Sequence, residues 1–115
     1  SGLSNDMRTL RKAASNNSDA QMALAMFTYR VIREIGSVVA ALNGVDALIF
    51  TAGIGENDSE LRADVIKGLS HLGFILNQDA NEQHGFQISS SSHPAAFVMA
   101  TNEEALIAHS TVTLL

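Results

Sequence analysis

One stretch, residues 46–60, limits what this chain can fold into more than any other: it reads D-A-L-I-F-T-A-G-I-G-E-N-D-S-E. An apolar run ends at Thr51, two glycines follow at Gly53 and Gly55, and a helical pattern begins near Asn57. This order predicts a strand, a glycine turn and a helix. Such a turn lets backbone approach a ligand closely, and the helix start offers unpaired N–H groups to an anion. A phosphate or a nucleotide is therefore the first ligand to consider.

The glycine pair also has a purely structural explanation. A G-x-G between a strand and a helix is a common tight connection in α/β proteins, and Asp58 stands where the dinucleotide fingerprint G-x-G-x-x-G requires its third glycine. From these residues alone, a phosphate site and a simple connecting turn are both open interpretations.

Composition narrows the class of protein. A chain of 115 residues forms one domain at most, and a net charge of −5 without a dense Lys/Arg block argues against a nucleic-acid or anionic-membrane surface. The absence of cysteine excludes a disulfide framework and a thiolate metal site, as is typical of a cytoplasmic protein. No apolar run has the length needed to span a bilayer. We expect neither a membrane nor a nucleic acid as a partner.

Apolar periodicity predicts most of the secondary structure. Helices are expected over residues 4–14 and 19–42, and a third helix opens near Asn57, is weakened at Gly68 and closes at Gly73. Strands are expected over 45–51 and 95–100, with a short edge strand at 86–89, a polar loop over 77–85 and a C-terminal helix from Thr101. The long helix is expected to begin through a capping box of Ser18 and Gln21 and to end at Asn43 and Gly44. Asn57 or Asp58 is the expected cap of the helix that follows the glycines.

The helix over residues 19–42 is predicted to be a long apolar helix. Apolar side chains occupy much of its circumference, which indicates burial against more than one neighbour, such as a sheet, a second helix or another subunit. Two or three main strands do not make a sheet that covers such a helix. The fold class is therefore α/β but incomplete, and the long helix needs a partner.

Short stretches in three places together resemble the acetate kinase family, which includes propionate and butyrate kinases. They read S-G-L-S-N-D-M-R at residues 1–8, T-A-G-I-G-E-N at 51–57 and T-N-E-E at 101–104. Their order spans essentially the whole chain and resembles the C-terminal part of such a kinase. The resemblance implies the actin-like ATPase superfamily, in which ATP lies between two ribonuclease-H-like domains and passes its γ-phosphoryl group to a short-chain carboxylate with Mg²⁺. The chain would then be an incomplete domain of that kind, used for nucleotide binding and dimerisation over residues 1–115.

The resemblance also implies roles for individual residues. It assigns Asp6, Met7 and Arg8 to the adenine and ribose. The turn that meets the nucleotide would consist of Gly53, Ile54, Gly55, Glu56 and Asn57, and Glu103 would help to hold Mg²⁺. No catalytic residue is implied within this chain, because the carboxylate-binding and catalytic residues of the family lie upstream of the matching segment.

Simple chemistry is compatible with these roles and with plainer ones. Asp6 can accept hydrogen bonds from sugar hydroxyls, and Arg8 can pack its planar guanidinium against a base or pair with a phosphate, but both also suit an exposed helix start. Met7 replaces the phenylalanine that is usual in the family, so the flat stacking face is lost. Glu103 is either the single carboxylate that Mg²⁺ requires or, with Glu104, a first-turn acid that favours the helix dipole.

Two functional hypotheses follow. The first is an enzyme portion: the C-terminal nucleotide-binding part of an ATP:carboxylate phosphotransferase, inactive alone and dependent on a missing N-terminal kinase portion. The second is a non-catalytic module that keeps this fold and associates with itself through residues 19–42. Because the C-terminal domain of the family also makes the homodimer contact, a dimer is expected under both hypotheses.

Overall fold

Helices and strands are mixed along the chain, of which the computed structural model describes residues 2–100 and 111–114. In order, the elements are α1 (Gly2–Ala14), α2 (Ser18–Leu42), β1 (Ala47–Phe50), α3 (Ala52–Asn57), α4 (Ser59–Gly68), a 3₁₀ turn (Ser70–Leu72), α5 (Gln78–Glu82), β2 (Ala95–Val98) and β3 (Thr111–Leu114). The predicted α/β class is therefore confirmed.

A sheet of parallel strands lies at the centre, in the order β2-β1-β3. Ala47 of β1 is aligned with Ala95 on one side and with Thr111 on the other. The next three residues of β1, residues 48–50, are completely buried. A continuous apolar strand covered on both faces is what a parallel sheet requires, and the sequence prediction for this strand is confirmed.

Helix α2 has the predicted length but a different start. The side chain of Asn17 accepts hydrogen bonds from the backbone N–H groups of Asp19 and Ala20, at 2.8 and 3.3 Å. Asn17 is therefore the cap, and Ser18, the predicted cap, is already the first helical residue. The predicted end is confirmed, because Asn43 adopts the left-handed conformation (φ 61°) that stops a helix.

The expectation of a long apolar helix at α2 is wrong in one respect. The helix is long, but its buried residues form a single stripe: Ala20, Val31, Ile35 and Val39. Its other faces carry exposed charged side chains between exposed apolar ones, the largest of which are Met22, Met26, Tyr29, Val38 and Leu42. The buried apolar stripe on one side and the mixed, exposed surface on the other make the helix amphipathic. Within the described ranges, no helix is long and apolar enough to cross a membrane.

Helix α4 supplies the other main contribution to the core. Leu61, Val65, Ile66 and Leu69 are at most 1% exposed, and they pack with β1 and with the buried stripe of α2. These apolar residues recur at helical spacing, as predicted. The cap is Asp58, whose carboxylate accepts from the backbone N–H of Leu61 at 3.0 Å.

Four local predictions are corrected by the structure. Helix α3 occupies the place of the glycine turn, and α5 lies inside the segment predicted as a loop. Residues 86–89 form only isolated bridges, Leu76 with Ser89 and Gln87 with Phe97, rather than a strand. The described C-terminal residues form β3, whereas a helix was expected to continue there. The predicted helix start at Thr101 lies outside the described residues.

Candidate functional site

A pocket of about 230 Å³ opens where α1 meets α3 and the start of α4. Met7, Arg8 and Arg11 line it from α1, and Gly53, Asn57, Asp58, Ser59 and Glu60 line it from the other side. Residues from two of the three stretches singled out in the sequence therefore come together around one space, although they are far apart along the chain.

Only some of the predicted site residues line the pocket. Met7, Arg8, Gly53 and Asn57 line the pocket, with Met7 only 5% exposed and Arg8 exposed. Gly55 is buried and Glu56 is half-buried, and neither lines the pocket. The side chains of Asp6 and Ile54 and the whole of Glu103 lie outside the described part of the chain. A nucleotide-binding role for these residues stays a prediction.

The glycines do not form the tight turn that the sequence indicated. Gly53 and Gly55 both lie inside α3, where the Asn57 side-chain amide donates to the carbonyl oxygen of Gly53 at 2.9 Å. The unusual backbone belongs instead to Ala52, which has φ 62° and is the first residue of α3. A left-handed conformation costs a residue with a Cβ on the order of 1–2 kcal/mol. The left-handed residue between β1 and the rest of α3 is therefore Ala52 and not a glycine.

The start of α4 is also not a free anion site. The Asp58 carboxylate occupies the N–H of Leu61, and Glu60 adds a second negative charge in the first turn. An incoming phosphate would meet like charge there instead of unpaired donors. These two carboxylates disfavour an anion at this helix start, and the expectation of an anion there stays a prediction.

Opposite charges across the pocket are paired with one another. Arg11 of α1 donates from Nε to both carboxylate oxygens of Asp58, at 3.1 and 3.0 Å, and from Nη1 to Glu60 Oε2 at 2.6 Å. The side chains of Arg11 and Asp58 are only 23% and 14% exposed. No ion pair of Arg8 occurs with any residue that the structure describes. Among the charged side chains that line the pocket, the two cations Arg8 and Arg11 balance the two carboxylates Asp58 and Glu60.

The charge of the pocket lining limits the kinds of ligand that it can bind. Besides these balanced charges, the pocket offers one apolar side chain, Met7, and the side-chain amide of Asn57. A triphosphate would require a greater excess of positive charge or a bound cation. The small volume points the same way, since sites for whole drug-sized ligands enclose roughly 300–1,000 Å³.

Arg62, which the sequence did not single out, donates hydrogen bonds to the backbone beside the pocket. Arg62 of α4 is completely buried and has five N–H donors, each with an acceptor. Nη1 donates to the carbonyl oxygens of Gly55 and Glu56, at 3.0 and 2.9 Å. Nε and Nη2 donate to the side chain and the carbonyl oxygen of Asn81, both at 2.7 Å, and Nη2 also donates to His84 Nδ1 at 2.8 Å.

Burial also acts on the charge of Arg62. Loss of hydration lowers the pKa of its guanidinium from the ordinary value, and the nearby Asp58 carboxylate opposes that lowering. An arginine stays protonated in a protein regardless, so Arg62 can only donate. His84 Nδ1 must then be the acceptor, and the ring proton of neutral His84 resides on Nε2.

Comparison with known proteins gives a consistent result along the chain. The model of the acetokinase family matches residues 1–109. The acetate kinase of Desulforamulus reducens is 44% identical over 99% of this chain and 30% of its own length. For the acetate kinase of Methanosarcina barkeri the identity is 45%, over 96% of this chain and 28% of that protein.

Solved structures agree with the sequence relatives. A propionate kinase from Francisella tularensis superimposes with a TM-score of 0.77 and 38% identity, over 92% of this chain and 28% of that one. The acetate kinase of Porphyromonas gingivalis gives a TM-score of 0.76 with 32% identity, over 85% and 26%. The chain thus spans about 30% of the length of the curated relatives that it matches. With a family model matched over nearly all of its residues, this chain belongs to the acetokinase family.

Proposed function

We propose that this chain is the C-terminal nucleotide-binding portion of a kinase that transfers the γ-phosphoryl group of ATP to a short-chain carboxylate, acetate or propionate. The observation that carries the proposal is the pocket in which Met7 and Arg8 of α1 meet Gly53 and Asn57 of α3. Family membership supports the reaction class, since the relatives are named as acetate kinases and a similar structure as a propionate kinase.

Adenosine is the part of the nucleotide that we assign to the pocket. Met7 offers a buried thioether as an apolar wall, and the exposed Arg8 guanidinium can lie against the base or reach a phosphate. Arg11 is neutralised by Asp58 and Glu60, so it adds no net attraction for phosphates. The phosphates therefore need Mg²⁺ and groups outside this pocket.

For Mg²⁺ we keep Glu103 as the proposed protein contact. Within the described ranges, no cluster of three or more acidic or histidine side chains is placed to hold a metal. A nucleotide-bound Mg²⁺ takes only one or two protein carboxylates and keeps several waters, so a single glutamate is chemically sufficient. When bound, the metal neutralises phosphate charge during transfer.

Phosphoryl transfer itself is proposed to need the rest of a longer kinase. The chain corresponds to about 30% of the length of its relatives, and we assign the carboxylate site and the catalytic residues to the remainder. On this proposal the chain is part of a ribonuclease-H-like domain, binds nucleotide, and transfers no phosphoryl group when isolated.

Nucleotide titration is the direct test. Calorimetry with ADP and Mg²⁺ should give saturable binding, and Arg8→Ala should weaken it roughly tenfold through loss of one charge-assisted contact. Arg30→Ala is the matched control, because Arg30 is an exposed arginine on α2 that does not line the pocket. Absence of saturable heat at millimolar ADP, or equal effects of the two substitutions, would count against the proposal.

A chimera tests the reaction. In this experiment the chain replaces the matching segment of the Methanosarcina barkeri acetate kinase. Acetate-dependent consumption of ATP should persist in the chimera and be absent from the isolated chain. An active isolated chain, or a folded chimera that binds ATP without transfer to acetate or propionate, would refute the assignment of roles.

A second candidate function is self-association through α2. The exposed Met22, Met26 and Tyr29 lie at helical spacing on this helix and offer an apolar surface. Sedimentation analysis should then show a dimer that Met26→Glu dissociates, whereas Glu82→Lys, at an exposed position of α5, should leave it intact. A monomer at all concentrations would remove this candidate, and dimerisation without nucleotide binding would favour it over the kinase portion.

A further inference from the structure

Arg62 is buried as a cation without a carboxylate at hydrogen-bond distance among the described residues. All of its acceptors are neutral: backbone carbonyl oxygens, an amide oxygen and an imidazole nitrogen. Removing a charge from water is costly unless its hydrogen bonds are replaced, and here every donor is satisfied. An apolar side chain would fill the same space more cheaply. Its hydrogen bonds, rather than its charge, are therefore what Arg62 contributes.

The bonds of Arg62 join the pocket wall to a separate part of the fold. Gly55 and Glu56 lie in the last turn of the short helix α3, where carbonyl oxygens have no partner within the helix. Asn81, completely buried in α5, accepts from Arg62 twice and donates from Nδ2 to the carbonyl oxygen of Ser59 at 2.8 Å. The segment 53–60 is thus held at Gly55, Glu56 and Ser59 by one guanidinium and its partner Asn81.

His84 extends this arrangement to the surface. Its ring is exposed, its backbone is left-handed (φ 54°), and its Nδ1 accepts from Arg62. The hydrogen bond of Gly85 N–H to the carbonyl oxygen of Ala80, at 2.9 Å, closes the turn that holds His84 beside α5. A surface side chain is therefore linked by two hydrogen bonds to the backbone of α3.

We propose that Arg62, Asn81 and His84 form a positioning unit, the Arg62 cluster, that sets the geometry of the nucleotide pocket through the backbone of α3. The inference rests on the proposed function, because the geometry that matters is that of a nucleotide site. None of the three residues lines the pocket. The cluster acts only through the carbonyl oxygens of Gly55, Glu56 and Ser59, which hold the segment that carries Gly53 and Asn57.

His84 provides the cleanest test, because it is exposed and tolerates substitution. His84→Gly removes the acceptor and suits the left-handed backbone, whereas His84→Asn keeps an acceptor and also tolerates that backbone. With Mg²⁺ and ADP as the probe, we expect His84→Gly to weaken binding roughly threefold to tenfold and His84→Asn to restore most of it. His71→Gly, at an exposed histidine that does not contact the cluster, is the control and should leave affinity unchanged.

Arg62→Lys gives the second test. Lysine keeps the charge but has three donors on one nitrogen, so it cannot reach all of the acceptors of the planar guanidinium. In the chimeric kinase we expect KM for ATP to rise roughly tenfold with KM for acetate unchanged. A structural role alone would change the amount of folded enzyme and neither KM.

The outcomes separate this inference from the proposed function. If the unsubstituted chain does not bind ADP, both are overturned. If it binds and the folded His84→Gly variant binds equally well, or if His84→Asn fails to restore affinity, the Arg62 cluster does not position the pocket, while the kinase assignment stands. Should Arg62→Lys fail to fold, the His84 series still decides the matter.

Discussion

Asp58 has two separable tasks, and a pair of substitutions distinguishes them. Its carboxylate caps α4 by accepting from the N–H of Leu61 at 3.0 Å, and it also pairs with Arg11 across the pocket at 2.9 Å. Asp58→Asn keeps an oxygen acceptor for the cap and removes the charge. Asp58→Ala removes both interactions.

The structure sets the size of each effect. Asparagine and aspartate are equivalent caps, and replacing either by alanine costs about 1 kcal/mol of the free energy of unfolding. The ion pair is mostly shielded, at 23% and 14% side-chain exposure, so loss of the charge should cost about 1 kcal/mol. We therefore expect a loss of about 1 kcal/mol for Asp58→Asn and about 2 kcal/mol for Asp58→Ala.

Urea unfolding followed by circular dichroism measures these values. Combining Asp58→Asn with Arg11→Met in a double-mutant cycle should give a coupling energy of about 1 kcal/mol, since the two side chains are in direct contact. Asp64→Asn is the control, because Asp64 is an exposed acid on the same helix and should change stability by less than about 0.5 kcal/mol.

Two results would refute this reasoning. If Asp58→Asn and Asp58→Ala unfold at the same urea concentration, the cap contributes nothing. If the effect of Arg11→Met is the same with and without Asp58, the ion pair does not form in solution, and the Arg11 guanidinium would be free to contact a phosphate.

Backbone geometry supports two more predictions, both measured by thermal unfolding. Gly36→Ala within α2 has open space around the new methyl group and should stabilise the protein by about 1 kcal/mol. The new methyl group of Gly68→Ala would overlap Ile32 Cδ1, so this substitution should stabilise less or destabilise. A larger gain in stability at Gly68 than at Gly36 would contradict this packing. Ala52→Gly should relieve the left-handed strain and stabilise by up to about 1 kcal/mol, whereas Ala52→Val should destabilise. A stabilising valine would exclude the positive φ.

The elements that were predictable from the sequence have local patterns that repeat over several residues. Helices α1, α2 and α4 each complete more than two turns with apolar residues on one side, and β1 is an uninterrupted apolar run. Caps were less certain, because neighbouring polar residues compete for the same N–H groups. Asn17 instead of Ser18 caps α2 for this reason, since its side chain accepts from two backbone N–H groups.

Short elements and distant pairings were not predictable in the same way. Helices α3 and α5 are too short to show a helical repeat. In β3 the sequence T-V-T-L has the β-branched residues that suit a strand, but its partner β1 is formed by residues much earlier in the chain. Local propensity contains no information about such a partner.

The residues of the site also divide into those that could be predicted from the sequence and those that could not. That Met7 and Arg8 meet Gly53 and Asn57 followed from resemblance to a family, not from their spacing in the sequence. A sequence signal for Arg62 did exist, although a search for motifs does not find it. Arg62 shares a helical face with Val65, Ile66 and Leu69, which are all buried. A charged residue on an otherwise apolar face indicates that internal acceptors surround it.

The register of the sheet also constrains how this segment can be made on a ribosome. β1 pairs with β2 and β3, and both partners are synthesised well after Ala47–Phe50. Closing such long loops is entropically costly, so these pairings form late. Residues 48–50, the most deeply buried of the strand, therefore lack one or both neighbouring strands until Thr111–Leu114 emerges. Translation speed through the segment between β1 and β3 should thus influence the yield of native protein.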